Sequence, residues 1–389
     1  MMRIICYLAL ALFVSAGAGW SQTTLNPDIS VIGDIRAFSH NDDSRADESE
    51  EINLADPEME LYVNGYLNPY ARAAATIAWH PGHNAEIEEV YATVLRGLPL
   101  GMNLRAGKYR LEFGRLNPVH PHAYSFVKMP LVHEALFGEE GLNDMAVRSA
   151  FLLPTGNAYT ELMGGVLKGD ALMGHGHEHE EEVHADEEHE HDSDQRVDLG
   201  FFGRLTTSLA IGDHGELAFG GSVTNAVYGF AEHEHEEPAK AAQQEHEDPE
   251  QLRAWLVGGD IKYKWKPNRY TSLHIEGEGI MRSEEQHEGD NLDSYGGYAY
   301  VDYRFRQRYN VGTIVEWLRL KHMHEHDGEH EVAEHDTWRL GLFTGFAPVE
   351  ETSLVRLAGH WTEPDEGDGF WEVTLQLVFS LGPHQPHNF

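Results

Sequence analysis

The 389-residue sequence predicts an all-β protein: a transmembrane antiparallel β-barrel of about sixteen strands with short periplasmic turns and long acidic, His-rich extracellular loops. Three features predict it. Segments of roughly ten residues alternate apolar and polar side chains, the length and period of a membrane-crossing strand. The connections between them alternate strictly between short and long. The net charge of −37 is concentrated in long connections.

In chain order the first element is an export signal. Arg3, the apolar run Ile4–Val14 and the small residues Ala16, Gly17, Ala18, Gly19 and Ser21 describe a secretory signal peptide over 1–21. Cys6, the single cysteine, leaves with it. The mature chain then has no disulfide, no Cys-ligated zinc and no thiol nucleophile. No later run approaches the ~18 apolar residues of a spanning helix. With 28 Lys+Arg against 65 Asp+Glu, little can neutralise a phosphate backbone, which excludes nucleic acid as a partner.

The barrel is expected over 22–381, with 382–389 as a periplasmic tail because Pro383 and Pro386 break any strand. Val197, Leu199, Phe201, Leu205 and Leu209 oppose Arg196, Asp198, Arg204, Thr206 and Ser208. Trp255, Val257, Ile261, Tyr263 and Trp265 oppose Asp260, Lys262 and Lys264, and Trp371, Val373, Leu375, Leu377 and Phe379 oppose Glu372, Thr374, Gln376 and Ser380. A soluble sandwich alternates in the same way. Against it stand the strand length, the aromatic residues at strand ends (Trp79, Trp265, Trp317, Trp338, Trp361, Trp371) and the connection lengths. Short turns are expected near Leu67–Tyr70, Pro99–Met102, Pro154–Asn157, Gly212–Gly215, Lys266–Arg269, Arg306–Arg308 and Pro348–Glu351. Long connections are expected near 41–57, 81–88, 115–142, 171–195, 231–251, 282–292, 321–336 and 363–369. Four segments in the long class, 41–58, 171–195, 231–250 and 321–336, hold −29 of the charge, and such acid runs are solvated. An even strand number puts both termini on the short-turn side, the outer-membrane arrangement of a Gram-negative bacterium, and sixteen strands enclose a channel.

The polar face is then the lumen. Candidate pore-lining residues are Lys108, Arg110, Glu112, Arg148, Arg204, Asp260, Lys262, Glu276, Glu278, Arg304, Arg339 and Arg356. They are either structural ion pairs on a wet wall or opposed charge rows that sort solutes.

Certain stretches carry a resemblance. They are Leu25–Asp34, Gly107-Lys108, Phe113-Gly114-Arg115-Leu116-Asn117-Pro118-Val119-His120-Pro121-His122, Phe137-Gly138-Glu139-Glu140-Gly141-Leu142 and Val378–His384. Over residues 25–389 the chain resembles a family of bacterial outer-membrane, porin-like proteins with His-rich loops, described as zinc-regulated outer-membrane receptors. The resemblance implies an outer-membrane barrel connected with zinc or another divalent metal. It names no residue as a ligand. The region around the third loop is also similar to anion-specific porins.

Fourteen of the 26 histidines lie in three acidic segments. They are His175, His177, His179, His184, His189 and His191; His233, His235 and His246; and His322, His324, His326, His330 and His335. His-x-His spacing puts two imidazoles on one face of an extended chain. Imidazole among carboxylates suits Zn²⁺, Ni²⁺ or Cu²⁺, here held transiently, with no tightly bound cofactor. The bland alternative is a solvated anionic surface. His120 and His122 are separate metal candidates. They lie in the third long loop, whose Phe126, Val127, Met129, Leu131, Leu136 and Phe137 point to folding against protein, into the barrel as a constriction. There His120, His122 and His133 either border the conduction path or hydrogen-bond the loop.

The leading function is a channel for small solutes whose loops gather divalent metal at its mouth, with homotrimers as the fold-level expectation. The alternatives are a non-conducting metal-binding surface protein, a TonB-dependent-type receptor and an anion (phosphate-like) porin. No Gly-x-Ser-x-Gly elbow or His-Glu-x-x-His motif occurs, so no enzyme is expected.

Overall fold

The computed structural model describes residues 27–173, 198–230, 250–287, 289–326, 329–349 and 352–382. The expected signal peptide and nearly all of the expected tail lie outside them. The alternating segments form strands β1 (Asp28–His40), β2 (Asn53–Leu54), β3 (Glu58–Asn68), β4 (Ala71–Trp79), β5 (Glu86–Val94), β6 (Asn103–Arg110), β7 (Asn143–Leu153) and β8 (Tyr159–Leu167). They continue with β9 (Gly200–Ile211), β10 (Gly215–Phe230), β11 (Gln251–Asn268), β12 (Thr271–Glu284), β13 (Leu292–Phe305), β14 (Tyr309–His326), β15 (Glu329–Phe346), β16 (Ser353–Pro364) and β17 (Phe370–Leu381).

Sequence neighbours pair antiparallel from β3 to β17. β1 closes the ring against β17, from Val31↔Leu381 to His40↔Glu372, and against β3. β2 pairs only with Ala37 and Phe38 of β1, so the closed wall has sixteen strands. Closure removes both sheet edges, which is the condition for a sheet to cross lipid.

Burial is inverted relative to a soluble fold. On β17, Trp371, Val373, Leu375, Leu377 and Phe379 are exposed, while Glu372, Thr374, Gln376 and Ser380 are buried. Aromatic rings band both ends of the outer surface. Phe305, Tyr309 and Phe346 stack at 5.0–5.4 Å near the short turns. Tyr295, Trp317 and Trp338 meet at 5.5–6.0 Å near the long loops. Tyr309 and Trp317 lie on one strand. Their separation is about 26 Å at ~3.3 Å per residue, or about 20 Å after a tilt of roughly 40°, close to the ~25 Å apolar band of such barrels. Among the described residues no helix is long and apolar enough to cross a membrane; the strands cross it.

Four expectations need correction. The 321–336 segment is strand, not loop: β14 and β15 stay paired from Leu320↔His335 to His326↔Glu329, because His-x-His-x-His is itself period two. The 81–88 connection ends at Ala85, because β5 begins at Glu86. Asp198 precedes β9 and is exposed, its amide donating to Gln251 Oε1 at 3.0 Å. Lys108 is on the outer face, because it pairs with Val90 and Met145, both exposed apolar residues, and directly paired residues share a face. Its ammonium turns back to donate to the Ile87 carbonyl at 3.0 Å.

Candidate functional site

The connection from β6 to β7 does not leave the barrel. Pro118, Pro121 and Pro130 deny it ladder hydrogen bonds, and it runs through a 3₁₀ turn (Pro121–Ala123) and a short helix (Leu131–Phe137). Its Leu111, Phe113, Phe126, Val127, Val132, Leu136 and Phe137 are all fully buried. They find an apolar seat on the inner wall, where the ring of Phe126 lies 5.2 Å from Tyr300 and 6.2 Å from Phe343. That wall is therefore polar only in part.

Buried charges peg the loop's backbone. Glu278 Oε1 accepts from the Arg115 and Leu116 amides, the latter at 3.0 Å, and Glu278 Oε2 lies 2.9 Å from His133 Nε2. The turn that presents those amides requires Gly114, with φ +60°, where a Cβ would come within 2.7 Å of the Glu278 carboxylate. Glu316 Oε2 accepts from the Leu131 amide at 2.7 Å and pairs with Arg339, which also donates to the Met129 carbonyl. Arg356 donates to the carbonyls of His122 and Phe126 at 3.0 and 3.1 Å, and Arg282 to that of Leu136 at 2.9 Å. Arg115 joins Asp260 at 2.6 Å, and Asp260 also holds Arg204 at 2.7 Å.

On the opposite side of the lumen the loop meets three glutamates. His120 Nδ1 lies 3.3 Å from Glu60 Oε2 and 3.4 Å from Glu88 Oε2, and its Nε2 lies 3.1 Å from Glu89 Oε2. His122 Nδ1 is 3.4 Å from the same Glu60 oxygen, with the two imidazoles stacked at 5.7 Å. Consecutive residues of a strand normally face opposite ways. Glu88 and Glu89 reach the same imidazole because β5 is bulged: Thr76 pairs with Glu89 and Ile77 with Ile87, leaving Glu88 as the extra residue. Burial alone lowers the pKa of His120. The surrounding Glu60, Glu88 and Glu89 outweigh it and hold the imidazole well above its ordinary range.

One ligand atom each from Glu60, Glu88 and His120 lie within 4.8 Å of one another. Two ligands of one first-row divalent ion, each ~2.1 Å from it, are at most ~4.2 Å apart. A small inward movement of these side chains therefore suffices to hold such an ion. Imidazole with carboxylate is a Zn²⁺-type donor set. Clustered carboxylates in a largely dry site need positive charge beside them, supplied by imidazolium or by a cation.

The remaining expected site residues divide by location. His175, His177, His179, His184, His189, His191, His233, His235 and His246 lie outside the described residues. His324, His326 and His330 fall within β14 and β15. His322 and His335 stack across that hairpin at 5.0 Å, and His335 Nδ1 lies 3.7 Å from Asp365. Of the pore-lining candidates, Arg110, Arg148, Arg204, Asp260, Glu276, Glu278, Arg339 and Arg356 are buried inside the barrel, several beneath the loop. Glu112 opens the loop and bridges Arg105 and Arg148 at 2.9 and 2.8 Å. Lys262 faces Glu276 at 3.9 Å, and Arg304 pairs with Asp302 at 2.9 Å. Reasoning from alternation missed Glu60, Glu88 and Glu89. The available signal was the break in period two at Glu86-Ile87-Glu88-Glu89-Val90.

No family model matches the sequence. An uncharacterized protein of Aquifex aeolicus (strain VF5) is 27% identical over 403 residues, covering 95% of this chain and 81% of the relative. Among solved structures the chain is similar to in-vitro folded OmpT, an outer membrane protein of Vibrio cholerae, with TM-score 0.55, 8% identity and 91% and 97% of the two chains covered. An anion-selective porin from Comamonas acidovorans superposes with TM-score 0.56 and 6% identity, over 92% and 100% of the chains. OprB of Pseudomonas putida does so with TM-score 0.53 and 11% identity, over 92% and 94%. At such identities the likeness is one of fold. The closed sixteen-stranded wall, the apolar outer band and this shared fold place the chain in the outer membrane of a Gram-negative bacterium.

Proposed function

We propose that this protein is an outer-membrane channel for small solutes, narrowed by residues 111–142, and that divalent metal, zinc foremost, is among its cargo. The single observation that supports metal as cargo is the set of donors the bulge and the loop bring together inside the lumen: Glu60, Glu88, Glu89, His120 and His122. The channel part is supported by strand number, since sixteen strands enclose more space than wall side chains fill, and by the fold shared with porins. The acidic, His-rich outer segments concentrate cations ahead of the constriction. Ions then pass from transient outer ligands to the inner cluster, with no resident cofactor.

Single-channel recording tests both parts. Micromolar Zn²⁺ is expected to produce brief current blocks in the wild-type channel. Glu60→Gln/Glu88→Gln is expected to abolish the blocks while leaving the KCl conductance within about twofold, because a change of two charges alters local ion concentration modestly at high salt. Zn²⁺ blocks that persist in this variant would remove the cluster from the path. A second reading, a non-conducting metal-binding anchor, is favoured by the number of buried pegs that fix the loop across the lumen, and a folded protein with no KCl conductance would establish it. For association we propose a homotrimer. Gly65, Ala73, Ala75, Ala92 and Ala106 leave a shallow depression on the lipid-facing side of β3–β6 that lets a second barrel approach closely, and one similar structure is a trimer form of OmpT. Cross-linking in native membranes is expected to give a three-chain product.

A further inference from the structure

At the short-turn end of the barrel, beneath the inward loop, lies a cavity of about 360 Å³. Its roof is the loop segment His122–Ser125, and its walls are the ends of β1, β11–β14, β16 and β17 with the short turns beside them. Six basic side chains line it: Lys264, Lys266, Arg269, Arg304, Arg308 and Arg356. No Asp or Glu does.

The sign change is written along β11. Asp260, Lys262, Lys264 and Lys266 share one face by period two. Asp260 is consumed by Arg204 and Arg115, and Lys262 faces Glu276. Nearer the turn, Glu216 stands opposite Lys264 in the β10–β11 register without lining the cavity, so the four cations Lys264, Lys266, Arg269 and Arg308 face the cavity with one carboxylate beside them on the wall. Arg356 hydrogen-bonds only neutral partners, two carbonyls and Gln376 Oε1 at 3.0 Å, and the carboxylate of Asp34 is one residue further on, at Gln376 Nε2. Asp302, the carboxylate on Arg304, is already engaged by that guanidinium and by Asn310 at 3.0 Å. Like charges gathered in a concave, partly desolvated space repel one another unless an anion joins them.

We infer that this vestibule is a binding site for a small, multiply charged oxyanion at the periplasmic mouth, opposite in sign to the acidic outer mouth. The binding itself depends only on the fold and not on metal transit. Phosphate chemistry has two sources here, free oxyanions and lipid headgroups. Lys264, Arg304 and Arg356 face the cavity under the loop, which favours the soluble anion.

The test uses the full-length protein in phosphate-free, lipid-free detergent, with inorganic phosphate as the probe in equilibrium dialysis. Binding is expected, weakened about tenfold or more by Lys264→Gln/Lys266→Gln, since each nearby charge contributes more than ~1.4 kcal/mol at an effective dielectric near ~20. Lys264→Arg/Lys266→Arg is expected to restore it, which separates charge from folding. In planar bilayers, phosphate added on the short-turn side should reduce KCl current at lower concentration than phosphate added on the loop side. The inference is overturned by phosphate binding that the Gln pair leaves unchanged, or by equal potency from the two sides. Binding confined to co-purified phospholipid would assign the cations to headgroups and also overturn it. Absence of any KCl current would count against the channel proposal, while the dialysis result would still decide the anion site.

Discussion

Glu278 shows how one residue changes meaning between sequence and structure. Alternation puts it on the inner wall, where it is expected to border water. In the fold it is buried and takes two loop amides and His133. Removing the carboxylate leaves three buried donors without a partner, a cost of about 3–5 kcal/mol for a broken buried charged contact. That cost falls on loop docking and not on the strand ladder. Glu278→Ala is therefore expected to keep the heat-stable barrel band on electrophoresis, expose residues 111–142 to protease and raise conductance. Glu278→Gln keeps an acceptor and should fall between the two. A loop that stays protease-resistant in Glu278→Ala contradicts the peg. Alternation was a sound guide to the face on which charges such as Arg148 and Asp260 sit. It was no guide to whether those charges touch solute or loop backbone, because that depends on a segment more than 100 residues away in the chain from Glu278.

At the scale of elements, the β5 bulge and the β14–β15 hairpin carry the departures from the sequence pattern. The bulge turns a run of acids that reads as the end of a loop into two inward ligands. Deleting Glu88 alone is expected to restore unbroken β4–β5 pairing, leaving one carboxylate from β5 at His120. Zn²⁺ blocks should then shorten at least several-fold while thermal stability is unchanged or improved. Stability lost together with the Zn²⁺ response would mean the bulge serves the wall. The hairpin bears on engineering. Cutting 322–335 would remove paired strand from Leu320↔His335 upwards, so it is not equivalent to trimming a loop. Its histidines alternate as strand residues do, and the sequence concealed this only because acid runs read as solvated loops.

For the whole molecule the governing quantity is where charge lies along the axis. The four acidic segments, expected at the outer mouth, carry −29, and the vestibule at the short-turn end is cationic. Removing Gly174–Asp194 and Glu232–Asp248 should leave the barrel folded, since connections tolerate length change. The deletion should abolish a modest low-salt cation preference, one that in wild type also fades towards about 1 M salt, where the Debye length is ~3 Å. It should also remove several equivalents of weak metal binding. In wild type that binding is expected to fall between about pH 7 and pH 5, because imidazoles with ordinary pKa near ~6.5 protonate and cease to ligate. Carboxylates near ~4 keep their charge in that window, so binding flat from about pH 7 to 5 would mark simple counterion attraction.

The sequence by itself determined the number of wall strands, nearly all of their positions and the membrane-facing side chains. Each of these follows from local period, and the period is fixed by backbone geometry whatever the rest of the chain does. Only the tertiary structure decided what fills the lumen. The seat for Phe126, the pegs on Glu278 and Glu316, the meeting of Glu60 with His120 and the cationic vestibule under Tyr124 all join residues far apart in the chain. Such contacts arise from ring closure and from the path of one proline-interrupted loop, and they leave no repeat in the sequence. The bulge at Glu88 lies between these cases: its period break is visible in the sequence, but its role depends on the imidazole that the loop brings to it.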